Sequence, residues 1–205
     1  MTLKPFGLLL VTAALTPPLI WFPSLAQGRD SVALFSQYLG LWALIAMALS
    51  QIIATRLRQI EALFGGLDRS YRLHKWLGIG AITAVLLHDT IDAEMRGLGR
   101  ETLLVEVAET AGELSLYGFL ILTVITVATF IPYHLWRWTH KLMGGFFVAA
   151  SFHFLFILKP FSNGDPLGLY VSVFCLLGLL AFTYRMLPAG LRPSHRFQVA
   201  ELTPS

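Results

Sequence analysis

The chain has 205 residues, of which 56% are hydrophobic and 13% charged, with a mean hydropathy of +0.67. A soluble domain carries roughly 25% charged residues, so this composition belongs to an integral membrane protein, with room for about six spans of roughly 20 residues and none for a soluble nucleotide-binding domain. The net charge of +3 comes from Arg and Lys flanking apolar segments, which argues against a nucleic-acid surface. The lone cysteine, Cys175, excludes an intrachain disulfide and an iron–sulfur cluster held by this chain alone.

Six spans follow in chain order, at 6–25, 35–54, 73–93, 114–133, 140–158 and 167–187. The first resembles a signal peptide in its Lys4 and apolar run. However, Pro17-Pro18 is followed by more apolar sequence, and Ser24-Leu25-Ala26 is a weak cleavage site, so a retained helix kinked at the prolines is expected. The third span carries His74 and His88, with Gly78 and Gly80 between them. The fifth carries His140 and His153, with Gly144 and Gly145. These glycines suit either helix packing or the approach of a flat ligand. Cys175 lies in the apolar sixth span and reads as a packed core residue.

Charge orients the spans. With the N-terminus inside, 11 of the 15 basic residues fall on the inner side: Lys4, Arg56, Arg58, Arg69, Arg72, Lys75, Arg137, Lys141, Arg185, Arg192 and Arg196. Arg29, Arg96, Arg100 and Lys159 fall outside. That bias predicts a six-transmembrane-helix bundle with both termini cytoplasmic. Asp89, Asp92, Glu94, Glu101, Glu106, Glu109 and Glu113 gather in one outer connection. They read either as a solvated loop with a surface helix over 100–113, or as an outer mouth that attracts cations.

His74 and His88 are 14 residues apart and His140 and His153 are 13 apart, so each pair spans roughly 20 Å of helix. Both spans run from inside to outside, which sorts the histidines into an inner couple, His74 with His140, and an outer couple, His88 with His153. Imidazole is an axial ligand of haem iron, and ionisable groups at membrane depth point to function. Fourteen steps of 100° return to within about 40° of the starting face, whereas 13 miss it by about 140°. The fifth span therefore requires an irregular start at His140 or a distortion near Gly144-Gly145.

The stretches LHKWLGIGAITAVLLHDTID (73–92) and YHLWRWTHKLMGGFFVAASFHFLFIL (133–158) resemble the ferric reductase-like transmembrane domain shared by ferric reductases and NADPH oxidases. The resemblance covers spans two to six. It implies two stacked b-type haems, the inner held by His74 and His140 and the outer by His88 and His153. It also implies electron transfer from a cytoplasmic flavin and NAD(P)H reductase to an outer acceptor, ferric iron or dioxygen, with the chain as the membrane core of an oxidoreductase. Arg72 and Arg137, with Lys75 and Lys141, are candidates to pair with the inner haem carboxylates, or to contact headgroups.

Large members of that family carry FAD and NAD(P)H domains after the last helix. Here residues 188–205 form a tail whose HRFQVAEL (195–202) resembles the start of such a domain, so FAD and NAD(P)H enter only through a missing domain or a partner. A second reading is the short haem-binding subunit of the bacterial periplasmic methionine sulfoxide reductase system, which passes electrons to a separate oxidoreductase. A third is a non-redox transporter or scaffold whose histidines form a proton or metal path. The bacterial inner membrane is the expected location.

Among other residues, Trp76, Trp136 and Trp138 read as an interfacial belt. Phe146 and Phe147 read mostly as core, with one of them a candidate to lie between the haems. Asp89 is either an outer-site residue or a solvated acid. His134 is expected in a cytoplasmic connection and His195 in the tail.

Overall fold

A computed structural model describes residues 4–25, 29–91, 98–128 and 130–191. Residues 92–97 and the tail from Arg192 onward lie outside the described residues, so Asp92, Glu94 and Arg96, and the flavin-domain resemblance at 195–202, do not enter the structural account.

The described chain is all-helical. α1 (Pro5–Leu15) and α2 (Pro17–Leu25) follow each other across Thr16 and together form one candidate span. The break falls at the Pro17-Pro18 pair, as a proline ring requires. α3 (Ser31–Ile53) is capped by Asp30, whose carboxylate accepts from Val32 N at 2.9 Å. α4 (Arg58–Phe64) is short and ends on Gly65 at φ 92°. That left-handed turn is one glycine adopts without strain. α5 (Leu67–Thr90), α6 (Leu103–Val127), α7 (Tyr133–Phe156) and α8 (Pro166–Met186) complete the bundle, followed by a short 3-10 turn at Ala189–Leu191.

Four segments are long and apolar enough to cross a membrane: Pro5–Leu25, Ser31–Ile53, Leu103–Val127 and Pro166–Met186. The histidine helices α5 and α7 are 24 residues each, about 36 Å long, but their basic inner turns and histidines lower their hydropathy.

α3 is the central element. It packs on α5 and α8 and also touches α1, α2 and α7. Its middle is small and buried, with Ala43, Ala46 and Ala48 fully enclosed beside Ile45. Small residues let backbones approach where lipid offers no hydrophobic drive for helices to associate. The other close pairing is α6 with α7. Phe147 of α7 is fully buried against Gly178 of α8, where an added Cβ would lie 2.6 Å from its ring.

The elements differ from the sequence expectation in three places. α6 begins at Leu103, so the proposed surface helix over 100–113 is the first part of this span. Its acids Glu106, Glu109 and Glu113 are exposed, while Val105, Ala108 and Leu116 are buried. α7 begins at Tyr133, so His134 and Arg137 lie in a helix rather than in a connection. α4 was not anticipated: its seven residues are too few and too polar for a span pattern.

Candidate functional site

His74 and His140 each sit two turns inside their helices, and His88 and His153 lie in the last turns. α5 and α7 pack chiefly on α3 and α6 rather than on each other, and the imidazoles occupy the space between them. The His74 and His140 rings are 6.1 Å apart between centroids, inclined at 67°. A metal–imidazole bond is about 2 Å, so two rings facing one iron from opposite sides stand with centroids roughly 6 Å apart.

All four histidines engage an acceptor through Nδ1. His74 Nδ1 lies 3.1 Å from Ser50 O. His88 Nδ1 lies 2.9 Å from Ser36 O and 3.0 Å from Ser36 Oγ, and that hydroxyl also donates to His88 O at 2.9 Å. His153 Nδ1 lies 2.9 Å from Ala108 O. His140 Nδ1 lies 3.4 Å from Thr126 Oγ1, whose proton goes to Leu122 O at 2.7 Å. With Nδ1 donating to these oxygens, each ring keeps its lone pair on Nε2, the tautomer a metal ligand needs.

The partner helices set the register. Ser36 and Ser50 on α3 are 14 residues apart, as are His74 and His88 on α5. Two antiparallel helices with equal spacing can make both bonds along one face. On α6, Ala108 and Thr126 are 18 residues apart, five full turns at 100° per residue, and again one face. The 13-residue spacing on α7 is accommodated within a continuous helix. His140 is not at an irregular start, and no break occurs at Gly144-Gly145. The longer Thr126 side-chain contact takes up the mismatch.

Two glycines create the room. Gly40 faces His88, where a Cβ would lie 3.2 Å from Nε2. Gly112 faces His153, where a Cβ would lie 2.5 Å from Nδ1. Each stands four residues after the residue whose carbonyl accepts the histidine, Ser36 and Ala108. In a helix that carbonyl lies beside the side chain at i+4, so glycine uncovers it. The glycines singled out from sequence do something else: Gly80 faces Trp42, Gly144 faces Phe182, and Gly78 and Gly145 have nothing within 4 Å. A glycine on the neighbouring helix was the missed signal.

The outer couple opens into a cavity of about 380 Å³ lined by His88, His153, Asp89, Glu109, Glu113 and Lys159, among others. Asp89 is exposed and stands on the lining of this cavity. At the inner end, Trp136 stacks on His140 at 5.2 Å and 22°, one helical turn away on α7. Trp76 and Trp138 are 62% and 67% exposed, as belt residues are. Tyr71 meets His74 edge-on at 6.4 Å and accepts from Arg56. Arg72 and Arg137 lie on exposed faces of α5 and α7. Arg185 of α8, half-buried, is the cation whose charge acts on both inner histidines, a position sequence reasoning assigned only to the membrane flank. Phe147 belongs to the core and packs on Gly178 of α8, and Phe146 packs on Phe119 of α6 at 6.2 Å.

A family model described as "Ferric reductase like transmembrane component" matches residues 39–152, more than half of the chain. The chain belongs to this family. Membership makes it an integral membrane protein and implies haem-mediated electron transfer across a membrane, with redox partners in a membrane context. Comparison with curated proteins gave no match. The residues present fit a haem: two imidazole couples with Nε2 available, one couple at the separation of axial ligands, and glycines where a Cβ would crowd the outer rings.

Proposed function

We propose that this ferric reductase-like chain carries electrons through two b-type haems, one held by His74 and His140 and the other by His88 and His153. The observation that carries the reading is the facing His74–His140 couple at 6.1 Å, with every histidine's Nδ1 tied by α3 or α6. A haem, when bound, supplies reversible one-electron chemistry at its iron.

The chain's residues do the rest. Backbone carbonyls of Ser50, Ser36 and Ala108 hold three imidazoles in orientation, and Thr126 holds the fourth. Such outer contacts fix the tautomer and raise ligand basicity. Buried apolar residues of α3 and α7 exclude water around the sites. At the inner end, Arg185 and the exposed Arg72 and Arg137 supply positive charge for haem carboxylates. In this reading the bundle has six spans with both termini cytoplasmic, in a bacterial inner membrane. Electrons enter from a flavin and NAD(P)H reductase domain or protein at the basic inner face and leave to ferric iron or dioxygen outside.

The test is a reduced-minus-oxidised spectrum and a haem assay on protein produced with ample haem supply. Two low-spin b-type haems per chain are expected. A preparation without a Soret band would end the reading, and would leave the transporter or scaffold alternative. One haem per chain would instead favour the sulfoxide reductase-type subunit.

A further inference from the structure

Lys159, in the connection between α7 and α8, lines the same cavity as His88 and His153, and its charge acts on His153. The ammonium is held in place. Nζ donates to Phe154 O at 2.7 Å and lies over the rings of Phe154 and Phe161, 4.9 and 5.9 Å from their centroids. Both phenylalanines are buried.

The connection itself is pinned at two points. Asn163 Nδ2 donates to Leu155 O at 2.7 Å, and Ser162 N donates to Asp165 Oδ2 at 2.7 Å. Gly168 lets the start of α8 close on the backbone of Ser162 and Asn163. A flexible lysine is thereby turned into a fixed one.

A cation removed from water is costly unless it gains a counter-charge. Burial pushes the Lys159 ammonium down to about 8, which still leaves it mostly protonated near neutral pH. The carboxylates on the same cavity, Asp89, Glu109 and Glu113, belong to exposed residues, where water screens them. An ammonium has three N–H groups, so acceptors beyond Phe154 O can be taken. The cavity beside it is lined by both outer imidazoles.

We propose that Lys159 is a positioning residue of the outer site, pairing with a carboxylate of the outer haem and raising the reduction potential of its iron. The inference rests on the haem-binding reading above. Ferric haem carries one more positive charge than ferrous haem, so a nearby fixed cation disfavours the oxidised state. The aromatic faces and the Phe154 carbonyl orient the ammonium, and the pinned turn keeps it beside the couple.

Optical redox titration of the full-length protein, with haem stoichiometry measured alongside, tests this. Lys159→Met keeps the apolar stem over the two rings and removes the charge. It is expected to lower the midpoint of one of the two haem transitions, the one missing from a His88→Ala protein, and to leave the other unchanged. Lys159→Arg is expected to keep the wild-type midpoint. Two haems with both midpoints unchanged in Lys159→Met would overturn the proposal, as would an equal fall in Lys159→Arg, which would mean that packing rather than charge is responsible. Absence of haem from the wild-type protein is a different result, and it would overturn the proposed function itself.

Discussion

A histidine in an apolar helix is costly unless both ring nitrogens are used. Here Nδ1 is used four times by a carbonyl or hydroxyl of the neighbouring helix, which leaves Nε2 for an exogenous partner. The four residues themselves were readable from sequence, because imidazoles rarely recur at such spacing in membrane spans. Their Nδ1 partners were not, since a backbone carbonyl has no sequence signature. Removal of one ligand should act by couple: His74→Ala or His140→Ala removes the inner haem, and His88→Ala or His153→Ala the outer. If His153→Ala kept both haems with unchanged spectra, the outer assignment would be wrong and His134, exposed in the first turn of α7, would need weighing. Thr126→Val is subtler. It deletes the hydroxyl beside His140 Nδ1 and leaves His140 in place. Loss of such an outer contact typically costs 10–100-fold in metal affinity, so the inner haem should still bind, roughly 10-fold or more weakly. Competition with a haem-scavenging protein measures it.

At the scale of elements, each histidine helix is held by one face of a partner helix. The α3–α5 pair uses equal 14-residue spacings, and the α6–α7 pair uses five turns of α6. α6 was misplaced by eleven residues at its start because Glu106, Glu109 and Glu113 depress the hydropathy of its first turns. The apolar face running through Val105, Ala108, Leu116 and Phe119 is nevertheless helical in period, and Thr102 Oγ1 caps it by accepting from Val105 N at 3.4 Å. The glycines give a graded test. Gly112→Ala places a methyl 2.5 Å from His153 Nδ1 and Gly40→Ala one 3.2 Å from His88 Nε2. The first should lose the outer haem and the second should weaken it. Gly145→Ala meets nothing within 4 Å and should leave haem content unchanged, with a helix-propensity gain of up to about 1 kcal/mol. Equal haem retention in all three would show that the clearances beside the outer histidines are incidental.

At the scale of the molecule, the number of spans is the point on which composition and packing pull apart. α5 and α7 miss an apolar criterion that four other segments meet, yet each is long enough to cross a bilayer of about 30 Å. Each also runs beside an apolar span for most of its length. The hydrogen bonds fix their directions: His74 meets Ser50 and His88 meets Ser36, so α5 is antiparallel to α3, and the His153–Ala108 and His140–Thr126 pairs make α7 antiparallel to α6. Lys4 Nζ reaches Ala62 O of α4 at 3.2 Å, which brings the start of the chain to the end that also carries Arg56, Arg58, Arg69 and Arg72. Charge bias was legible in the sequence because it depends only on counting Arg and Lys by loop. The same bias makes a prediction about the folded molecule in its membrane. A fluorescent protein fused after Ser205 should fold and fluoresce, as it does in the cytoplasm. Alkaline phosphatase inserted in the connection at 158–165, or at 98–102, should be active, as it is outside the inner membrane. With the N-terminus inside, an inactive phosphatase at 98–102 beside an active one at 158–165 would mean that α5 and α7 do not cross. The histidines of α5 and those of α7 would then lie on opposite sides of the bilayer, and electron passage from face to face through the couples would fail.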